Sequence, residues 1–223
     1  SYQLTNTTTM LQYFLIFSFL LISTNAAYDY YKLSQQWPPT FCAVNKCKPQ
    51  YTKLSKFTIH GLWPSNYTGA RPIVCKIGSV SMVPLTQIPT TLNSALASNW
   101  PNLLSKPDYE FWTHEWEKHG RCSSLPNSPL DYFRLALSIQ SKHNLWNILT
   151  AATFVPNRTY PKNLYNMTIF QSTGAYPELS CLQDRKNNYH LLEMRLCLDH
   201  SGASYINCTD PSNTCGTNIN WPL

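Results

Sequence analysis

The sequence lacks an apolar run long enough to span a membrane. Its longest, "LQYFLIFSFLLI" after Met10, covers 12 residues, whereas a spanning helix needs about 20. The small residues of "STNAA" follow, which suits the core and cleavage region of a secretory leader. Cleavage is expected near Ala26 or Ala27, with Met10 as a natural start. No Lys or Arg precedes the run, so only an initiator amine would supply the usual positive charge, and an uncleaved anchor is the alternative. Internal repeats and low-complexity blocks are also missing, which leaves residues 27–223 as one domain of ordinary size.

Two further absences narrow the chemistry. None of the 8 cysteines stands in CxxC spacing, which argues against zinc and redox motifs. In an exported chain they read as four disulfides, with about a hundred possible connectivities. The metal-binding pattern H-E-x-x-H is absent as well. His114 and His119 are five positions apart, about 140° around a helix, where one metal needs the i,i+4 spacing of a single turn. No metal and no cofactor is therefore expected.

What is present is basic. With 17 Lys and Arg against 11 Asp and Glu, the chain carries a formal charge of +6, all of it after the leader, which favours a polyanionic partner such as nucleic acid. Sequons occur at Asn66, Asn157, Asn166 and Asn207, so glycosylation is chemically available.

The pattern predicts an α+β fold with a central antiparallel β-sheet and flanking helices. "YDYYKLSQQW" is extended and stopped by Pro38-Pro39. In "KFTIHGLWP", Phe57 and Ile59 point one way and Thr58 and His60 the other. Gly61 admits a close approach, and Trp63-Pro64 leaves the strand. Residues 65–91 read as a surface loop. "NSALASNWPNLL" and "PDYEFWTHEWEKHG" read as helices, the second capped by Gly120. A further helix begins at Ser128, with Pro129 in its first turn. "YHLLEMRLCLD" and "ASYIN" are expected as late strands.

On the helix containing "FWTHEWEKHGRC", His114 pairs with Lys118 and Glu115 with His119 at i,i+4, while Trp112 and Trp116 form a row suited to burial. A cationic face with one carboxylate suits a phosphate. His60, beside a glycine, supplies a second histidine that titrates near neutrality, so the pair could act as acid and base. RNA brings its own nucleophile, the 2′-hydroxyl, and needs no metal for this reaction.

"FTIHGLWPSN" and "FWTHEWEKHGRC" resemble the two active-site segments of the ribonuclease T2 family. "QQWPPTFC", "WPNLL" and "TCGTNI" extend that resemblance over nearly the whole mature chain. It implies RNA cleavage through a 2′,3′-cyclic phosphate, with His60 as general acid and His119 as general base. By the same resemblance, His114, Glu115 and Lys118 hold and polarise the phosphate. Gln36, Asn102, Leu103 and Phe111 would line base or nucleotide sites, although Phe111 equally reads as a core aromatic and Asn102 as a cap or surface amide. The implied disulfides are Cys42–Cys47, Cys75–Cys122, Cys181–Cys215 and Cys197–Cys208. His143, His190 and His200 match no catalytic position.

Within the family the basic charge, leader and loop resemble plant self-incompatibility ribonucleases, which implies a secreted monomer with a pollen-side protein partner. A role in phosphate scavenging or defence, or an inactive binding or storage protein on the same scaffold, are the alternatives.

Overall fold

A computed structural model describes residues 28–69, 80–125, 127–209 and 214–223. The expected leader, Cys75 and part of the 65–91 segment lie outside the described residues. The elements, in chain order, are β1 (Tyr30–Gln36), α1 (Pro38–Val44), β2 (Thr58–Ser65), α2 (Thr90–Asn99), α3 (Asp108–Lys118), α4 (Pro129–Lys142) and α5 (Leu145–Ala151). They continue with β3 (Arg158–Pro161), α6 (Lys162–Thr173), β4 (Glu178–Gln183), β5 (Tyr189–Leu198), β6 (Tyr205–Ile206) and β7 (Asn218–Trp221). No helix among them is long and apolar enough to cross a membrane.

The strands form one sheet in the order β2-β1-β5-β7-β3, with β4 and β6 also paired to β5. All pairings are antiparallel except β5 with β7, which makes the sheet mixed. The α+β class therefore stands, and the middle helices α2, α3 and α4 cover one part of the sheet.

Two apolar cores hold the layers together. In the first, Tyr31 and Leu33 of β1 and Ile59 and Leu62 of β2 meet Trp112 and Trp116 of α3 and Tyr132 and Phe133 of α4. In the second, Leu191 and Leu196 of β5 pack with Tyr165 and Ile169 of α6, Leu149 of α5 and Trp221 of β7. Fully burying each such side chain contributes about 1.5–3 kcal/mol. The indole N–H groups within the first core are satisfied by backbone carbonyls: Trp112 donates to Trp100 (2.7 Å) and Trp116 to Val80 (2.9 Å).

Several boundaries differ from expectation, each for a local reason. Pro38-Pro39 ends β1 but opens α1, because a fixed φ near −65° suits a first helical turn. Pro64 stays within β2, opposite Tyr31; β2 is at the end of the strand order, where a missing N–H is tolerated. The helix expected through "WPNLL" stops at Asn99, since Pro101 bars helical geometry at the residue before it and Trp100 sits at φ −132°. Thr90 already begins α2, so the 65–91 segment is not wholly loop. At α4, Ser128 bonds the Asp131 carboxylate instead of capping a backbone N–H.

Gly120 is not a helix cap. It opens a short 3₁₀ turn after His119, and a Cβ there would be 2.2 Å from the Trp116 ring. The glycine is needed for space against a fully buried indole.

Three of the four implied disulfides are present as expected: Cys42–Cys47, Cys181–Cys215 and Cys197–Cys208. The fourth includes Cys75 and lies outside the described residues.

Replacing Gly120 with Ala should overpack the Trp116 ring and destabilise the fold by about 1–3 kcal/mol. Urea unfolding checks this, and an unchanged midpoint would show that the ring has room to move.

Candidate active site

The site begins with a register shift. Along the β1–β2 pair, Ser34 faces Gly61 and the next residue, Gln35, faces Ile59. His60 is thus the extra residue of a bulge, without a partner across β1. Bulges redirect side chains and increase local twist. This explains why the simple alternation over 57–60 fails: Thr58 is buried together with Phe57 and Ile59, while His60 alone opens toward a cavity. The His60 carbonyl is held by the Trp100 indole N–H at 3.0 Å.

Helix α3 supplies the opposite wall. Its Trp112 and Trp116 row is buried, as the spacing predicts, and Glu115 is buried with it at 2% exposure. The Trp63 indole N–H donates to Glu115 Oε2 at 3.0 Å. A Cβ on Gly61 would stand 2.1 Å from Trp63 Nε1 and 2.2 Å from Glu115 Oε2. The close approach allowed by Gly61 is therefore used by the protein itself. His119 has left the helix, with φ −130°, and its Nε2 is 4.0 Å from Glu115 Oε2.

His60, His114, Glu115, Lys118 and His119 all line one cavity of about 840 Å³, along with Trp63, Lys32 and Arg195. A second cavity, of about 370 Å³, is lined by Gln36, Asn102, Leu103 and Phe111, again with His60 and His114. The two cavities share these histidines, so every expected catalytic and nucleotide-site residue falls in one continuous region. Phe111 packs against the first core, and its ring is 6.1 Å from that of His60. The Asn102 side chain also has a local task, its Oδ1 accepting from the Leu104 N–H at 3.0 Å. His143, His190 and His200 line neither cavity.

The sequence reading missed Glu193. Its Oε1 accepts from His60 Nδ1 at 2.6 Å, which leaves Nε2 as the ring atom free for another partner. Its Oε2 accepts from Ser34 Oγ at 3.0 Å and from Arg195 Nη2 at 2.7 Å. The available signal was a glutamate and an arginine two residues apart in the otherwise apolar "LLEMRLCL", on one face of a strand.

These surroundings set the charges. Burial alone would lower the pKa of His60, but the hydrogen bond and charge of Glu193 outweigh it and leave it raised. Burial opposes ionisation of Glu193 too, yet His60 and Arg195 hold it down to about 2. Glu115, which accepts from the Trp63 indole, is pushed by burial up to about 7. His114 is lowered, by burial first and then by Lys118 and His60. Two buried carboxylates thus carry different charge near neutral pH.

Residues 28–208 match the model of the ribonuclease T2 family. The chain belongs to the ribonuclease T2 family. It is a T2-type endoribonuclease. Among its relatives, extracellular ribonuclease LE of Solanum lycopersicum is 35% identical, the match covering 94% of this chain and 96% of that protein. Ribonuclease S-7 of Nicotiana alata is 33% identical, over 88% of each. A mutant of RNase MC1, an enzyme from bitter gourd seeds, was solved in complex with 5′-UMP; it is 32% identical with a TM-score of 0.76, covering 87% of this chain and 98% of that one.

Of the sequons, Asn157 and Asn207 are exposed, while Asn66 and Asn166 are half-buried. Asn66 lines the larger cavity.

Replacing Gly61 with Ala should displace Trp63 or Glu115. A misplacement near 1 Å lowers catalysis by about 10²-fold. Steady-state cleavage of a dinucleotide checks this; unchanged kcat would show that the Trp63–Glu115 bond is dispensable.

Proposed function

We propose that His60 and His119 form the acid–base pair of a secreted endoribonuclease that cleaves single-stranded RNA by transesterification. One observation carries this reading: His60, held by Glu193 above its ordinary pKa, lines the same cavity as His119, Lys118, His114 and Glu115. In the reaction, neutral His119 takes the proton of the 2′-hydroxyl, whose oxygen attacks phosphorus. Protonated His60 gives its proton to the departing 5′-oxygen. The products are a 2′,3′-cyclic phosphate and a free 5′-hydroxyl. Lys118 offsets the negative charge of the phosphorane, while a ring N–H of His114 and the carboxyl of Glu115, poised near neutrality, can donate hydrogen bonds to it. Gln36, Asn102, Leu103 and Phe111 take a base, with Phe111 available for stacking.

The biological role we propose is that of the pistil determinant of gametophytic self-incompatibility, with a pollen-side protein as partner. The +6 charge and the similarity to ribonuclease S-7 support it. Similarity to extracellular ribonuclease LE supports export and also the rival reading, phosphate scavenging or defence. Confinement of the transcript to pistil, with loss of self-pollen rejection on its removal, would favour the first. Induction by phosphate starvation in other tissues would favour the second.

Substituting His60 or His119 with Ala should lower the rate by about 10²–10⁴-fold without unfolding the chain. The pH–rate profile should be bell-shaped. Activity falls at high pH as His60 loses its proton, and at low pH as His119 gains one. Chelators should leave the rate unchanged and DNA should survive. Loss of activity with chelator, or equal cleavage of DNA, would overturn the two-histidine mechanism.

A further inference from the structure

The larger cavity has a buried charged wall that the reaction above does not use. Behind His60, four ionised side chains from three strands form a ladder. Glu193 of β5 receives the His60 Nδ1–H on one oxygen. Its other oxygen takes Ser34 of β1 and both Nε and Nη2 of Arg195, at 3.0 and 2.7 Å. Arg195 Nη1 then bonds Glu178 of β4, and Glu178 also bonds Lys32 of β1. The glutamates are nearly inaccessible, with side-chain exposures of 0% for Glu178 and 9% for Glu193.

Such a ladder is costly to bury and would be an odd choice for stability alone. Buried ion pairs are often no better than apolar residues of similar volume. A second bulge lies at the same point. Along β4–β5, Ser180 faces Glu193 and the next residue, Cys181, faces Leu191, so Leu192 is the extra residue beside Glu193. The sheet is therefore distorted on both sides of one hydrogen bond, at His60 in β2 and at Leu192 in β5.

We propose that Glu193 is a positioning residue for His60, fixing its ring with the Nδ1 proton inward and Nε2 toward substrate, and that Arg195, Glu178 and Lys32 hold Glu193 in turn. This rests on the assignment of His60 as the acid. Fixing one ring nitrogen by a carboxylate sets which nitrogen exchanges the proton. The bond also favours the charged ring, so the acid is loaded before substrate arrives. Arg195 has two opposed effects. It keeps Glu193 ionised and aimed, while its own charge counts against the His60 imidazolium.

The other groups facing His60 are Glu115 and His114 of α3. Lys118 and His119 line the same cavity, and neither Trp63 nor Phe111 titrates. Among these, only Glu193 is bonded to the His60 ring. Glu115 is too near its own pKa of about 7 to supply a fixed charge.

The test is a nitrogen-detected NMR titration of the His60 ring in the folded, substrate-free chain, alongside pH–rate profiles for dinucleotide cleavage. In the native protein the neutral ring should carry its proton on Nδ1. Glu193→Gln keeps the shape and an acceptor but removes the charge, and should lower the His60 midpoint by about one to three pH units. The alkaline limb of kcat/KM should move down with it. Arg195→Gln should move the midpoint the other way. Opposite shifts from two neighbours in one ladder are not expected of a merely structural role. Should the Arg195 variant fail to fold, the nearly isosteric Glu193 variant decides alone. A neutral ring protonated on Nε2, or a midpoint unmoved by Glu193→Gln, overturns the proposal. A midpoint that moves without the alkaline limb would instead leave the positioning intact and refute His60 as the acid.

Discussion

One extra residue in β2 organises the site. Because His60 has no partner across β1, its side chain turns out of the regular alternation while Thr58 and Ile59 remain buried. The bulge would be useless without the glycine that follows. Gly61 lets the Trp63 indole and the Glu115 carboxylate meet in the volume that a side chain would occupy. This bond joins β2 to α3, and α3 carries His114, Lys118 and, at its end, His119. The relative placement of His60 and His119 thus depends on a strand irregularity and an absent Cβ, both within two consecutive residues.

Electrostatics then separates two similar groups. Glu193 and Glu115 are both buried glutamates near His60, but their surroundings differ. Glu193 has an arginine and the histidine bonded to it and stays ionised, with a pKa of about 2. Glu115 has an indole N–H and lies 4.0 Å from His119, and burial raises it to about 7. The first is suited to holding a charge still. The second is suited to sharing a proton with a phosphate, and an exchange of their surroundings would exchange those roles.

Much of this was legible in the sequence. The Trp112 and Trp116 row, the cationic face of α3 and the α+β class follow from periodicity and spacing, which local sequence encodes directly. The residues of the second cavity were reached through family resemblance, since Gln36 and Asn102 are far apart in sequence and neither has a local signature. What escaped was set by pairing. A bulge at His60 depends on register against β1, and the partner of His60 lies 133 positions away in β5. Glu193 and Arg195 were visible as polar residues in an apolar strand, but their target was not. Gly120 misled for a related reason: a glycine after a helix reads as a cap, and only the packed ring of Trp116 shows that it answers a need for space.

The central claim is the division of labour between the two histidines, and a change of leaving group tests it most directly. An RNA dinucleotide whose bridging 5′-oxygen is replaced by sulfur releases a thiolate, which departs without a proton. The measurement is the cleavage rate of this substrate by the His60→Ala and His119→Ala variants. With His60 as acid, its loss should be largely rescued by the sulfur substrate, while the His119 variant should remain slow because the 2′-hydroxyl still needs a base. Rescue of the His119 variant alone would reverse the assignment, and rescue of neither would contradict acid catalysis by His60.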